Sequence, residues 1–135
     1  MGTAMTKGKL KEYRSNLDEI KELRYKLEHL DDGDSMIGND VIFDYQTGFP
    51  RARSVVGFDK KKYERRKQAY QKRIRRLTEE CEEVEAWIEA IPDGMVRRIF
   101  RMTYIEGMTQ QKVARKMHLD QSAVSKKISN FLQME

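Results

Sequence analysis

Disulfides, long apolar runs and metal-ligand spacings are missing from this sequence of 135 residues. Cys81 is the only cysteine, so no internal disulfide can form and a cytoplasmic location is expected. No apolar stretch approaches the ~20 residues of a membrane-spanning helix, and the first residues lack the apolar core of a signal peptide, so no membrane contact is expected. The two histidines, His29 and His118, have no cysteine or carboxylate at ligand spacing, so neither a metal nor another cofactor is expected.

The sequence also lacks the residue sets that catalysis requires. No paired carboxylates, Ser/His/Asp set or phosphate-binding loop stands at usable spacing, so we do not expect an enzyme and assign no catalytic residue. Only two prolines and eight glycines accompany 36% charged residues, a profile typical of long exposed helices. The net charge of +5 is compatible with nucleic-acid binding without requiring it.

Apolar periodicity predicts two long helices in the first two thirds of the chain. The first spans about residues 7–30, and the second spans about residues 60–90 after Asp59, which can cap its first turn. The predicted stripe of the first helix consists of Leu10, Tyr13, Leu17, Ile20 and Leu27, widened by Leu23 and Leu30. That of the second consists of Tyr63, Tyr70, Ile74, Leu77, Cys81, Val84, Ile88 and Ile91. Such coiled-coil-like seams predict an antiparallel hairpin, and a homo-oligomer built through these helices is the alternative.

Residues 31–58 interrupt the helical pattern with four glycines and Pro50. Two short β-prone runs, Val41–Tyr45 and Ser54–Val56, suggest a loose hairpin, and a partly disordered connector is the alternative. Beyond it, residues 60–76 hold ten lysines and arginines against Glu64. This basic run is either a second phosphate-contacting surface or a solvated face that pairs with acids of the first helix or of a partner chain.

Residues 91–135 contain the only segment that points to a function. Their pattern predicts three helices, of which the last two form a helix-turn-helix. Gly107 is placed to end the helix of about residues 95–106, and Thr109 can cap the next, of about residues 110–117. A short turn at His118 follows, where we expect a positive φ, and Asp120 can cap the last helix. Ile99, Met102, Thr103 and Tyr104 are predicted to pack beneath this unit.

The last helix has an apolar stripe and an opposite face that carries no acid. The stripe consists of Val124, Ile128, Phe131 and Leu132. The opposite face is polar, with small side chains near its start and two lysines, as a recognition helix in the major groove requires. The predicted DNA-binding residues are Thr109, Gln110, Gln121, Ser122, Ser125, Lys126, Lys127 and Asn130, with Arg97, Arg98 and Arg101 of the preceding helix directed toward the DNA backbone.

This layout resembles a known group of DNA-binding modules. The stretch from Ile91 to Leu132 resembles the sigma-factor region-4 type of helix-turn-helix, with MTYIEGMTQQKVARKM as its core. Together with the charged helical N-terminus, it resembles small phage transcriptional regulators of the ArpU/RinA kind. The chain departs from the pattern at His118, where the turn often has glycine, and at Thr103, where arginine is usual.

We therefore predict an all-α fold in which a long antiparallel helical hairpin (residues 1–90, with the irregular insert at 31–58) precedes a three-helix DNA-binding module (residues 91–135). The resemblance implies a sequence-specific transcriptional regulator of phage or prophage type that binds double-stranded DNA and contacts RNA polymerase. A DNA-recognition protein of phage packaging, like a small terminase subunit, is one alternative. A protein-interaction adaptor without DNA binding is the other.

Overall fold

The computed structural model describes residues 4–30 and 59–134, and within these ranges the chain is helical and contains no strand. The predicted all-α fold is confirmed, with the two long helices packed against each other. The described residues form five α-helices: α1 (Lys7–Glu28), α2 (Lys60–Glu89), α3 (Gly94–Phe100), α4 (Gln110–Met117) and α5 (Gln121–Met134). A π-helical turn, Arg101–Ile105, continues α3. The predicted β-prone runs Val41–Tyr45 and Ser54–Val56 lie outside the described residues.

The chain forms two compact units that each include parts of both long helices. The first unit comprises residues 1–18 and 78–135, and the second comprises residues 19–77. The predicted division at residue 90 therefore runs through the first unit, because the start of α1 and the end of α2 pack in the same unit as α3–α5.

In the first unit, α1 and α2 run antiparallel. The Tyr13 hydroxyl donates a hydrogen bond to Glu85 Oε2, whereas Asn16, further along α1, contacts Glu80, earlier in α2, at 3.4 Å. Lys9 also pairs with Glu83 at 3.6 Å. The buried side chains of these two helices in the first unit include Leu10, Tyr13, Cys81, Val84 and Ile88. The apolar stripes predicted from the sequence thus face each other here.

Fewer apolar side chains are buried among the described residues of the second unit than among those of the first. Ile20, Leu23, Leu30 and Leu77 are buried. Tyr63, Tyr70 and Ile74, which belong to the predicted stripe of α2, are only half-buried. Leu27 in this unit and Leu17 in the first unit are also only half-buried, although both were predicted in the seam. Heptad spacing identifies the inward side of a helix but does not determine how closely the neighbouring helix approaches at each turn.

Side-chain caps determine where several helices begin. Thr6 Oγ1 accepts from the backbone N–H of Lys9 at 3.1 Å at the start of α1. Asp59 Oδ1 accepts from Lys62 at 3.1 Å at the start of α2, as predicted. Asp93 accepts from Met95 and Val96 at 2.9 and 3.3 Å after the joint at Pro92. Each cap satisfies backbone donors that the first helical turn leaves unpaired.

The predicted helix of about residues 95–106 is not a uniform α-helix, because its second half widens into the π-helical turn. The Glu106 N–H bonds the Arg101 carbonyl, five residues earlier, at 3.0 Å. Met102 and Tyr104 are both buried, although positions two residues apart do not share a face of a regular α-helix. Ile99 and Phe100 are fully buried in the preceding turn. Thr103, also predicted to be buried, is half-buried.

An aromatic cluster connects α2, α3 and α5 within the first unit. Trp87 contacts Phe100 and Phe131 edge-to-face at 5.6 Å between ring centroids, and Phe100 contacts Phe131 at 5.5 Å and Tyr104 at 5.7 Å. Edge-to-face pairs contribute favourable energy beyond burial of their area. The cluster fixes α5 against the end of α2, and neither Trp87 nor Phe100 was predicted in the core.

Candidate nucleic-acid interface

The turn between α4 and α5 is sharp and left-handed. His118 has φ 59° and ψ 44°, so the predicted positive φ is confirmed. The Leu119 N–H bonds the Ala114 carbonyl at 2.9 Å, which closes the last turn of α4 as in a Schellman motif. The chain therefore leaves α4 at His118, and α5 begins at Gln121.

A second left-handed residue, Gly107, lies between the π-helical turn and α4. Gly107 has φ 74°, and the Met108 N–H bonds the Met102 carbonyl at 3.0 Å, so the predicted glycine cap is confirmed. Thr109 Oγ1 accepts from the Lys112 N–H at 3.2 Å and caps α4, also as predicted. A Cβ at Gly107 would lie 2.6 Å from Nε of Arg14.

Arg14 connects α1 to the region before α4. Its Nη1 donates to the Ile105 carbonyl at 2.8 Å. Periodicity alone assigned no role to this side chain, because arginine on an exposed helix face has many rotamers. The bond fixes the end of the π-helical turn, and with it the start of α4, against the N-terminal helix.

The inner faces of α4 and α5 form one apolar contact. Val113, Ala114, Met117, Val124 and Ile128 are buried, whereas Phe131 and Leu132, at the end of the predicted stripe, are half-buried. Because these inward residues fix the rotation of α5, they also determine which residues face outward.

The outer face of α5 contains most of the predicted DNA-binding residues. At roughly 100° per residue, Ser122, Lys126, Ser129 and Asn130 lie within an arc of about 100° opposite the core, and all four are exposed. Ser125 lies about 40° beyond one edge of this arc and is half-exposed, whereas Gln121 lies about 80° beyond it, in line with Ile128, and is exposed in the first turn. We call the four residues of the arc and Ser125, together with the exposed Gln121 of the first turn, the α5 outer face.

Two residues of α5, Lys127 and Ser129, differ from the predicted set of DNA-binding residues in where they lie or in not having been included. Lys127 is half-exposed and lies about 100° around the helix from Lys126, on the flank away from Gln121. Ser129, which was not among the predicted contacts, lies in line with Ser122 and Ser125 at spacings of seven and four residues. That spacing was readable from the sequence. Within the described chain, no ion-pair partner neutralises Lys126 or Lys127.

Thr109 and Gln110 lie at the start of α4. The Thr109 hydroxyl accepts the cap hydrogen bond, and its side chain is exposed. Gln110 is half-buried at a cleft of about 330 Å³. The cleft is lined by Lys7, Leu10, Lys11, Arg14, Thr103, Tyr104 and Gln110. The Thr103 hydroxyl is buried and has no hydrogen-bond partner among the described residues.

The three arginines predicted to point toward the DNA backbone differ in their contacts. Arg97 Nη1 donates to the Ile91 carbonyl at 2.8 Å and is half-buried, so it holds the joint at Pro92. Arg101 bonds both carboxylate oxygens of Glu89 at 3.0–3.2 Å. Arg98 is exposed. Of the three guanidinium groups, that of Arg98 alone has no polar contact within residues 4–30 and 59–134.

The charge around α4 and α5 is mainly positive. Residues 107–134 hold five basic side chains against one acid, Asp120. The basic residues are Lys112, Arg115, Lys116, Lys126 and Lys127. All five are exposed or half-exposed, so the positive charge faces solvent, where phosphate groups can reach it.

Cys81 is buried, and its thiol lies 3.8 Å from the Tyr13 carbonyl. Burial raises the pKa of the Cys81 thiol, and the carboxylates of Glu85, Glu80 and Glu82 raise it further. Both effects disfavour the nucleophilic thiolate. Among the described residues no three His, Cys, Asp or Glu side chains are grouped to hold a metal ion, and no helix there is long and apolar enough to cross a membrane.

Comparison of the chain with models of protein families, with curated proteins and with solved structures gives no significant match. The resemblance to region-4 modules therefore rests on the residues themselves.

Proposed function

We propose that this chain is a sequence-specific, double-stranded-DNA-binding transcriptional regulator of phage or prophage type. In this proposal α4 and α5 form a helix-turn-helix, and α5 is the recognition helix. The observation that carries it is the exposed, acid-free α5 outer face, which follows the left-handed turn at His118. Contact with RNA polymerase belongs to the same proposal and rests on the resemblance alone.

The chemistry of the α5 outer face fits the edges of base pairs. Gln121 and Ser122 lie in the first turn, where a recognition helix comes closest to the bases, and Ser122 and Ser125 leave room for that approach. A glutamine can bond adenine through two hydrogen bonds, and a lysine can bond N7 and O6 of guanine. Gln121 and Lys126 are thus the proposed readers of sequence, with Asn130 extending the contact.

Other residues are suited to hold the backbone. Lys127 lies on the flank of α5, and Arg98 is exposed on α3, so both are assigned to phosphates. Arg97 and Arg101 already bond Ile91 and Glu89, and these contacts give them a positioning role in the proposal.

The proposal predicts different effects for readers and phosphate contacts. On a cognate duplex obtained by selection from random sequences, Gln121→Ala and Lys126→Ala should each cost about 1–3 kcal/mol of binding free energy, and less on a scrambled duplex. Lys127→Ala should weaken both duplexes alike and reduce the slope of log affinity against log salt by about one. The measurement is a salt-titrated binding series on both duplexes.

Gln71→Ala is the matched control, because Gln71 is an exposed glutamine of α2, outside the helix-turn-helix. It should leave both affinities unchanged. If Gln121→Ala and Lys126→Ala reduce the affinity for cognate and scrambled DNA equally, α5 does not read the sequence. Wild-type protein without salt-dependent affinity for any duplex would overturn DNA binding itself.

A further inference from the structure

The charge of α2 is sharply divided along its length. Residues 60–76 hold ten basic side chains and one acid, Glu64, whereas residues 79–85 hold five glutamates. The positive end of the helix dipole lies at the N-terminus, so cations are placed where the dipole disfavours them and acids where it offers them no benefit. Helix stability therefore does not account for this order of charges.

Four of these cations form a line on the solvent side of α2. Lys61, Arg65, Lys72 and Arg75 are exposed and lie within an arc of about 80° at 100° per residue. They extend over about 21 Å of the helix axis at 1.5 Å per residue. We call them the α2 basic stripe. None of the four has an ion-pair partner in the described chain, whereas Arg73, on the flank, contacts Glu19 at 3.4 Å.

The composition of this face favours duplex DNA over other polyanions. Single-stranded nucleic acid is bound by aromatic side chains that stack on bases, and no exposed residue of the described segment 60–76 is aromatic. A membrane surface requires a large apolar face, and the exposed residues here are charged, polar or alanine. A duplex presents about one phosphate per 1.7 Å of axis, so about twelve lie along the length of the stripe.

We propose that the α2 basic stripe is a second DNA-binding surface, which contacts phosphates of duplex DNA without reading sequence. The proposal rests on the proposed function for its choice of partner and adds a site outside the helix-turn-helix. Lysine and arginine bind phosphate oxygens through charge-assisted hydrogen bonds, and four such contacts add affinity to any sequence. The stripe lies in the second compact unit, which thereby acquires a function of its own.

The test removes three charges of the stripe in one variant, Lys61→Gln, Lys72→Gln and Arg75→Gln. Glutamine keeps the helix propensity close to that of lysine and arginine, so α2 is retained. Affinity for cognate and scrambled duplexes should fall by the same factor. The slope of log affinity against log salt should become shallower by roughly two to three, because each lost phosphate contact removes about 0.9.

The matched control removes the same residue types from α1, as Lys21→Gln, Arg24→Gln and Lys26→Gln. These three are exposed but spread over about 200° of the helix surface, so they form no line. The control should retain a slope close to that of the wild type. A slope reduced equally in both triple variants would reveal a general effect of net charge and overturn the proposal.

Two further variants make every outcome decisive. The first, Lys61→Arg, Lys72→Arg and Arg75→Lys, preserves the charges and should show the wild-type slope. The second, Lys72→Gln alone, is used if the triple glutamine variant unfolds, and it should reduce the slope by about 0.9. If the glutamine variants of the stripe keep the wild-type slope while Gln121→Ala no longer distinguishes cognate from scrambled DNA, the second DNA-binding surface is overturned. The proposal that α5 reads the sequence is then retained. If the triple glutamine variant has a shallower slope while Gln121→Ala still distinguishes cognate from scrambled DNA, the second DNA-binding surface is retained. The proposal that Gln121 reads the sequence is then overturned.

Discussion

Two residues with positive φ flank α4, and they meet the same backbone requirement with different side chains. Gly107 adopts φ 74° without a Cβ, and the space that a Cβ would need is occupied by Arg14. His118 adopts φ 59° with a full side chain, although a non-glycine residue in this region crowds its own carbonyl. The imidazole is exposed, so nothing in the described surroundings offsets that strain.

Replacing His118 with glycine should therefore stabilise the protein. We expect His118→Gly to raise the free energy of unfolding by roughly 0.5–1 kcal/mol, since relief of left-handed strain exceeds the entropy that glycine loses on folding. Urea denaturation measures the change, and His118→Ala is the control, because alanine keeps the strain and removes only the ring. A clear loss of stability in His118→Gly, matched by a similar loss in His118→Ala, would show that the imidazole makes a stabilising contact.

The elements themselves were largely predictable from the sequence, because their signals are local. The stripe from Leu77 to Ile91, the cap at Thr109 and the positive φ at His118 each follow from a few neighbouring residues. The π-helical turn at Arg101–Ile105 was not predictable, because its wider spacing depends on burying Met102 and Tyr104 together.

The contacts made by long side chains could not be predicted from the sequence either. Arg97 donates to the Ile91 carbonyl, and Arg14 bonds the carbonyl of Ile105, 91 residues along the chain, and neither contact was predicted. An exposed arginine has many rotamers of similar energy, so only the folded backbone selects among them. For the α5 outer face the sequence identified the helix and most of the face, because apolar periodicity fixed the rotation of α5.

At the scale of the long helices, a substitution at Leu77 tests the predicted apolar seam of α1 and α2. Leu77 is 4% exposed in α2, and an aspartate there would be buried without a partner. Leu77→Asp should lower the free energy of unfolding by about 3 kcal/mol or more. Thermal melting and size-exclusion chromatography measure stability and assembly, with exposed Gln71→Asp as the control. An unchanged melting temperature and solution size in Leu77→Asp would mean that no such seam exists.

For the whole molecule, three buried acid groups link stability to high pH. Burial raises the pKa of Tyr13, and its hydrogen bond to Glu85 and the negative charge of that carboxylate raise it further. Burial also raises the pKa of Tyr104 from the ordinary value of 10.0 and that of Cys81 from 9.0. The folded chain holds these protons at pH values where the unfolded chain has released them. Stability therefore falls as pH rises above about 9–10.

Tyr13→Phe should reduce this alkaline loss of stability. At neutral pH the variant should lose about 0.5–1.5 kcal/mol, because the hydrogen bond to Glu85 disappears. Above pH 10 its free energy of unfolding should fall less steeply than that of the wild type, by up to about 1.4 kcal/mol per pH unit, because one retained proton no longer contributes. Urea denaturation at a series of pH values from 8 to 11 measures both effects, with exposed Tyr25→Phe as the control. Parallel curves for the wild type and Tyr13→Phe above pH 10 would mean that the Tyr13 proton is no better retained in the folded chain than in the unfolded one.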